Sequence, residues 1–222
     1  MKYVKCLMKS ILAGLAISFG GMLFLKVSIA TSSTVLAAFL FSFGLILICN
    51  FDFYLYTGKI CYLFDKKEEK YLSRIINLVI ILIGNLLGTL FFSFLMRVTS
   101  TEPNLFILME KVKLVVENKI ETPWYSMIGL GFFCGILVYL AVEGFKKIEN
   151  NFGKYVVLFL AIGGFIICGF EHSIANMFYY FLSGSYSLAS FGSLMLCVLG
   201  NTIGGLFIPL INKVNELGNK GE

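Results

Sequence analysis

Along this chain, long runs of apolar residues alternate with short clusters of charge, and that alternation predicts its elements. Six apolar runs lie at about 10–29, 34–53, 71–96, 122–142, 155–181 and 187–211. Each is close to or above the roughly 20 residues a helix needs to cross a hydrocarbon core. The stretch 104–118 mixes apolar with charged positions and is too short to span, so it predicts an amphipathic helix lying in the interface. Lys2, Lys5 and Lys9 precede the first run as they would in a signal peptide. That run continues to about Ala30 and five others follow it, so it is expected to remain as a span rather than be cleaved.

Composition agrees with the pattern. The chain is 58% hydrophobic and 14% charged, with 23 phenylalanines and a mean hydropathy of +0.87. A soluble domain needs more polar surface than this, which points to an all-α integral membrane protein with the lipid bilayer as its solvent. The net charge of +5 comes without a long basic run, which suits anionic lipid headgroups and argues against a nucleic-acid partner. Cys6, Cys49, Cys61, Cys134, Cys168 and Cys197 lie in or beside apolar runs without ligand or disulfide spacing. They read as small apolar fillers, and neither a metal site nor a cofactor is expected.

Loop cations predict the orientation. Lys2, Lys5, Lys9, Lys59, Lys66, Lys67, Lys70, Arg74, Lys146, Lys147, Lys154, Lys213 and Lys220 fall on one side, and Lys26, Arg97, Lys111, Lys113 and Lys119 on the other. Thirteen against five places both termini in the cytoplasm of a cell with the chain in its inner membrane.

The chain also resembles itself. Gly84-Asn85-Leu86-Leu87-Gly88 in the third run is matched by Gly200-Asn201-Thr202-Ile203-Gly204 in the sixth. Extending the register backwards pairs Gly14 with Gly129, Gly20 with Gly135, and Thr57 with His172. Each half holds three spans, so the second enters from the opposite face. The expectation is one transmembrane domain over 1–222, with inverted repeats at about 10–97 and 122–211 around the 104–118 helix. In such repeats, transport sites form near the midplane from interrupted helices. The second and fifth runs carry the polar residues an interruption requires: Asn50, Asp52, Thr57 and Lys59 in one, Glu171, His172, Ser173 and Asn176 in the other. Thr57 and His172 are then expected to face each other across the pseudo-two-fold axis.

These residues carry a resemblance. The segment Gly169-Phe170-Glu171-His172-Ser173-Ile174-Ala175-Asn176-Met177 resembles the most specific signature of the formate/nitrite transporter family, which also includes hydrosulfide and lactate channels. Leu55-Tyr56-Thr57 resembles its Leu-Phe-Thr in the interrupted second helix, and the two Gly-Asn-x-x-Gly segments also match. Lys119 followed by Val138-Tyr139-Leu140-Ala141-Val142 resembles the spacing of its vestibule lysine and Val-Cys-Leu-Ala-Val stretch.

The resemblance implies an aquaporin-like fold and a homopentamer with one pore per subunit. It also implies passage of small monovalent anions (formate, nitrite or hydrosulfide class) or their conjugate acids. Carried onto this chain, His172 is the central histidine, Thr57 belongs to the loop on the cytoplasmic side of the pore, and Lys119 lies below the external vestibule. Leu55 and Tyr56 form a cytoplasmic constriction, and Phe165 narrows the external side. Departures are visible: Tyr56 stands where the family has Phe, Tyr54 where many members have Glu, and Gly135 where many have Asn. Gly58-Lys59 replaces a Ser-Ser or Ser-Asn pair.

A bare anion in an apolar pore costs on the order of tens of kcal/mol. Fixed positive charge at Lys119 lowers that cost, and proton exchange at His172, a residue type whose unperturbed pKa is near physiological pH, offers passage as a neutral acid. Glu171 is expected to turn away from the path and accept backbone N–H groups at the helix break, with Asn176 doing similar work. The hydroxyl of Tyr56 is expected to add a polar contact at the constriction. An enzyme is not expected, since no Ser/Lys or Ser/His pair in catalytic register, no HExxH and no paired-Asp motif is present. The alternatives are a non-conducting membrane scaffold on the same fold and a channel for a small neutral solute. The latter predicts paired Asn-Pro-Ala loops, which this sequence lacks.

Overall fold

The computed structural model describes residues 1–65, 70–99 and 104–218, and every regular element among them is helical. The first half holds α1 (Lys2–Thr31), α2 (Thr34–Asn50), the single turn α3 (Tyr56–Lys59) and α4 (Tyr71–Thr99). After α5 (Asn104–Glu121) come α6 (Trp124–Lys147), α7 (Asn151–Ile167), α8 (Ser173–Ser183) and α9 (Leu188–Gly218). By length and composition α1, α4, α6 and α9 can each cross a bilayer alone. The apolar α2 and α7 have 17 residues each. At 1.5 Å per residue they reach only about 25 Å, short of a hydrocarbon core of about 30 Å. The crossings are completed by α3 and α8 after a break, as the polar residues at 50–59 and 171–176 predict.

Close contacts fix the direction of each helix. Gly84 lies against Leu7 and Ser10, and Gly88 against Ile11 and Gly14, so α4 runs parallel to α1. Gly20 meets Phe41 while Gly44 meets Ala16, which makes α2 antiparallel to α1. In the second half Gly200 lies against Ile128 and Gly131, and Gly204 against Phe132, so α6 and α9 are also parallel. The halves meet along α2 and α7, where Phe41 packs on Phe165 and Asn50 accepts a hydrogen bond from Tyr155, an antiparallel arrangement. The second half is therefore inverted relative to the first, and α1 begins on the face where α9 ends. A side chain at Gly88 or Gly204 would drive into the carbonyl of Ile11 or Phe132, so glycine there sets the close approach of these helices. Of the cations counted for orientation, Lys66, Lys67 and Lys220 lie outside the described residues.

The stretch expected in the interface is α5, which runs three residues beyond 118 and includes Lys119 in its last turn. Leu108, Val112 and Val116, spaced at i, i+4 and i+8, are buried against the rest of the protein.

At the breaks, free backbone groups are met by two asparagines. Asn85 Oδ1 accepts from the Tyr56 N–H at 2.9 Å, and its amide donates to the carbonyls of Ser10 and Tyr54. Asn201 repeats the pattern: it accepts from the Ser173 N–H at 2.8 Å and donates to the carbonyls of Gly131 and Glu171. The Tyr54 N–H reaches the Lys9 carbonyl as the Glu171 N–H reaches that of Leu130. Asp52 and Gly169, both at positive φ, turn the chain at equivalent points.

These bonds set the repeat in a different register from the glycine spacing. Gly14 corresponds to Gly135 rather than Gly129, and His172 corresponds to Leu55 rather than Thr57, both being N-caps of their half-helices. The link from the first helix to the break is roughly one turn shorter in the second half, so glycines recurring at helical intervals match one another falsely. Replacing Asn201 by Ala strands a buried N–H and two carbonyls. It is expected to cost about 3 kcal/mol or more, read as a lower denaturation midpoint of the detergent-solubilised protein beside a control at the exposed neighbour, Ile203→Val.

Candidate functional site

Thr57 and His172 meet where the two breaks face each other. Thr57 Oγ1 and His172 Nε2 are 2.9 Å apart, and both side chains are buried. The equivalence that suggested this pair was wrong, but the contact exists: α3 carries Thr57 two positions beyond the N-cap whose counterpart is His172.

The imidazole has a structural task as well. As N-cap of α8 it accepts the Ala175 N–H on Nδ1 at 3.2 Å. With Nδ1 as an acceptor, the neutral ring carries its proton on Nε2 and donates it to Thr57 Oγ1. The Thr57 hydroxyl has only this partner among the described residues, so its own hydrogen is available to a passing acceptor. An imidazolium would set an Nδ1–H against the Ala175 N–H. The Phe165 ring stacks on the imidazole with centroids 5.8 Å apart, and it meets Phe41 edge-on at 6.0 Å.

A cavity opens on each side of this contact. On the face away from the termini, about 340 Å³ is lined by Phe41, Phe165, His172, Lys119, Glu171 and Asn176, among others. On the face of the termini, a smaller cavity of about 60 Å³ is lined by Leu55, Gly58, Lys59 and Val142, among others.

Two expectations about polar groups are corrected. Among the described residues, no backbone N–H donates to the Glu171 carboxylate. Its Oε2 is 2.6 Å from Lys119 Nζ and accepts from Asn176 Nδ2 at 2.8 Å. The nearby N–H groups of Ser173 and Ala175 are already taken by Asn201 and His172, which leaves the carboxylate for side chains. Asn176 accordingly holds Glu171 and leaves the backbone to Asn201. Nor does the Tyr56 hydroxyl serve the constriction. It lies 2.9 Å from Thr202 Oγ1, which spends its own hydrogen on the Val198 carbonyl, so tyrosine is the donor. Leu55 lines the terminal-side cavity, whereas Tyr56 points to α9. Lys119 is therefore not a bare cation: its charge is matched by Glu171, with the ring of Tyr179 5.8 Å away.

Sequence reasoning marked Asn85 and Asn201 only as repeat signatures. Their recurrence after a glycine in both halves, as an amide that offers two N–H donors and a carbonyl acceptor together, was the available signal for their role. No spacing pointed to the Lys119–Glu171 pair, because α5 lies outside the repeat.

A model of the family described as formate/nitrite transporter matches residues 1–213. The chain belongs to the formate/nitrite transporter family. Among its relatives, the uncharacterized transporter YrhG of Bacillus subtilis is 33% identical over 193 residues, covering 81% of this chain and 70% of that one. A formate-nitrite transporter of Entamoeba histolytica is 28% identical, covering 90% of this chain, which spans only 60% of the relative's length. In three dimensions the chain is similar to a pentameric formate channel with formate bound, with a TM-score of 0.85 at 25% identity over 97% of this chain and 98% of that one. It is also similar to an ion channel of the same family, with a TM-score of 0.80 at 25% identity over 96% and 89% of the two chains. These family members are channels and transporters rather than enzymes, and the chain is a multi-pass membrane protein of that kind.

Proposed function

We propose that this protein conducts small monovalent anions of the formate, nitrite or hydrosulfide class, or their conjugate acids, through one pathway in each subunit of a homopentamer. The reading rests on family membership and on one observation, the Thr57–His172 contact between two cavities at the meeting point of two broken helices. The solved relative is pentameric and holds formate, which supports the assembly and the size class of the substrate.

In this reading the termini face the cytoplasm, and the larger cavity with Lys119 opens outside. An anion entering it meets the ammonium of Lys119, which steers and donates hydrogen bonds while Glu171 keeps the pair neutral overall. Phe165 and Leu55 narrow the path on either side of His172 and exclude hydrated ions. The Thr57 hydroxyl then donates to a substrate oxygen while His172 Nε2–H supports that hydroxyl from behind. The neutral imidazole keeps its Nε2 proton and acts by hydrogen bonding, so an anion that crosses the apolar section as its neutral acid takes its proton from water in the cavity it leaves.

The test is a flux panel. Proteoliposomes carrying the purified protein should take up formate, nitrite and hydrosulfide at least about tenfold faster than empty liposomes, with acetate and lactate compared at pH 5.5 and 7.5. Rates equal to those of empty liposomes for every anion at both pH values would leave a non-conducting scaffold as the better reading.

A further inference from the structure

The two mouths of the pathway are built from repeat-equivalent positions, yet they differ in charge. Tyr54 and Glu171 are equivalents, because both carbonyls accept from the repeat asparagine. Five residues on, Lys59 occupies the position that Asn176 holds in the other half. At the far mouth, Glu171 is paired with Lys119 at 2.6 Å and held by Asn176, so the mouth is neutral.

At the terminal-side mouth the carboxylate position is an aromatic ring. Tyr54 lies between two lysines, with Lys59 Nζ 4.4 Å and Lys9 Nζ 5.0 Å from its centroid. The carboxylate there is Asp52, and it favours Lys9 at 2.6 Å over Lys59 at 3.5 Å. One carboxylate serves two ammonium groups, and its side chain is 63% exposed, so water screens what compensation it gives. Within this group of described residues, Lys9 and Lys59 outnumber Asp52, and Lys59 and Asp52 line a cavity of about 60 Å³, room for a few water-sized molecules and hence for an anion of three or four heavy atoms. Its walls include Leu55 and Gly58, which flank Thr57 in the chain.

We propose that this cavity is an anion-capture site on the face of the termini, with Lys59 as its binding cation and Tyr54 as the platform that holds the ammonium. The inference rests on the channel reading above and adds asymmetry to it: the anion is drawn from the terminal side by net charge and from the far side by a neutral ion pair. Substrate therefore binds with higher apparent affinity from the terminal side, and the difference depends on ionic strength.

Membrane vesicles of both orientations, sorted by access of protease to a C-terminal tag, give the test. Initial formate uptake through the full-length protein is measured against concentration at low and high salt. In the wild type the KM is expected to be lower from the terminal side at low salt, with the two sides converging at high salt. Lys59→Gln should raise the terminal-side KM about three- to tenfold and the terminal-side maximal rate in proportion, because uptake at low concentration must stay equal from the two sides, leaving the far-side KM unchanged, and Lys59→Arg should restore the wild-type value. An equal change from both sides, no change from either, or failure of arginine to restore the affinity would overturn the capture site while leaving the channel reading intact. Absence of formate and nitrite flux in the wild type would instead sink the channel reading itself.

Discussion

His172→Phe is expected to reduce formate and nitrite flux by about ten- to a hundredfold, the loss that corresponds to one hydrogen bond to a charged group, while the oligomer survives purification. The substitution removes the Nε2–H that supports Thr57, and with it the ring nitrogen that caps α8. A loss of cap alone costs about 1 kcal/mol and acts on stability. His172→Asn separates the two roles, because asparagine is among the best N-caps and can still accept the Ala175 N–H but is too short to hold an N–H against Thr57 as well. If His172 serves the path, both variants lose flux and the asparagine variant keeps the denaturation midpoint. Normal flux through His172→Asn would reduce the histidine to a helix cap.

That test exists because the structure showed two tasks where the sequence suggested one. The spans were readable because the thickness of a bilayer imposes length on every crossing helix, and the breaks because Asn50, Asp52, Glu171 and Asn176 interrupt otherwise apolar runs. The meeting of Thr57 with His172 was anticipated through an incorrect register. Glycines recur at helical intervals in α1 and α6, so several alignments look alike, and only the hydrogen bonds of Asn85 and Asn201 choose among them. The tyrosine hydroxyl at 56 was misjudged for a related reason. Where it points depends on the register of α9 beside α3, which places Thr202 within reach, and nothing in the local sequence reports that neighbour.

The Lys119–Glu171 pair was the least legible feature, and it leads to the other large expected effect. Lys119→Ala leaves the carboxylate of Glu171 in a largely buried cavity with Asn176 as its remaining side-chain donor. Removing one partner of a buried pair costs about 3–5 kcal/mol where burial is complete. Here the side chains keep 14% and 11% of their exposure, so the cost lies below that range. The functional consequence is larger than the structural one, because an uncompensated negative charge then stands beside the route of an anion. Uptake from the far side is expected to fall at least about tenfold at neutral pH. At acidic pH more substrate enters as the uncharged acid, which the carboxylate does not repel, so the loss there should be smaller. Adding Glu171→Gln removes the stranded charge and should bring the rate back to within about threefold of wild type. A cation acting alone predicts the opposite, since the second substitution could not replace the missing ammonium. If the double variant stays as inactive as the single one, Lys119 works as an isolated attractor. If the single variant conducts normally per folded pentamer, the pair is only a brace between α5 and the break before α8.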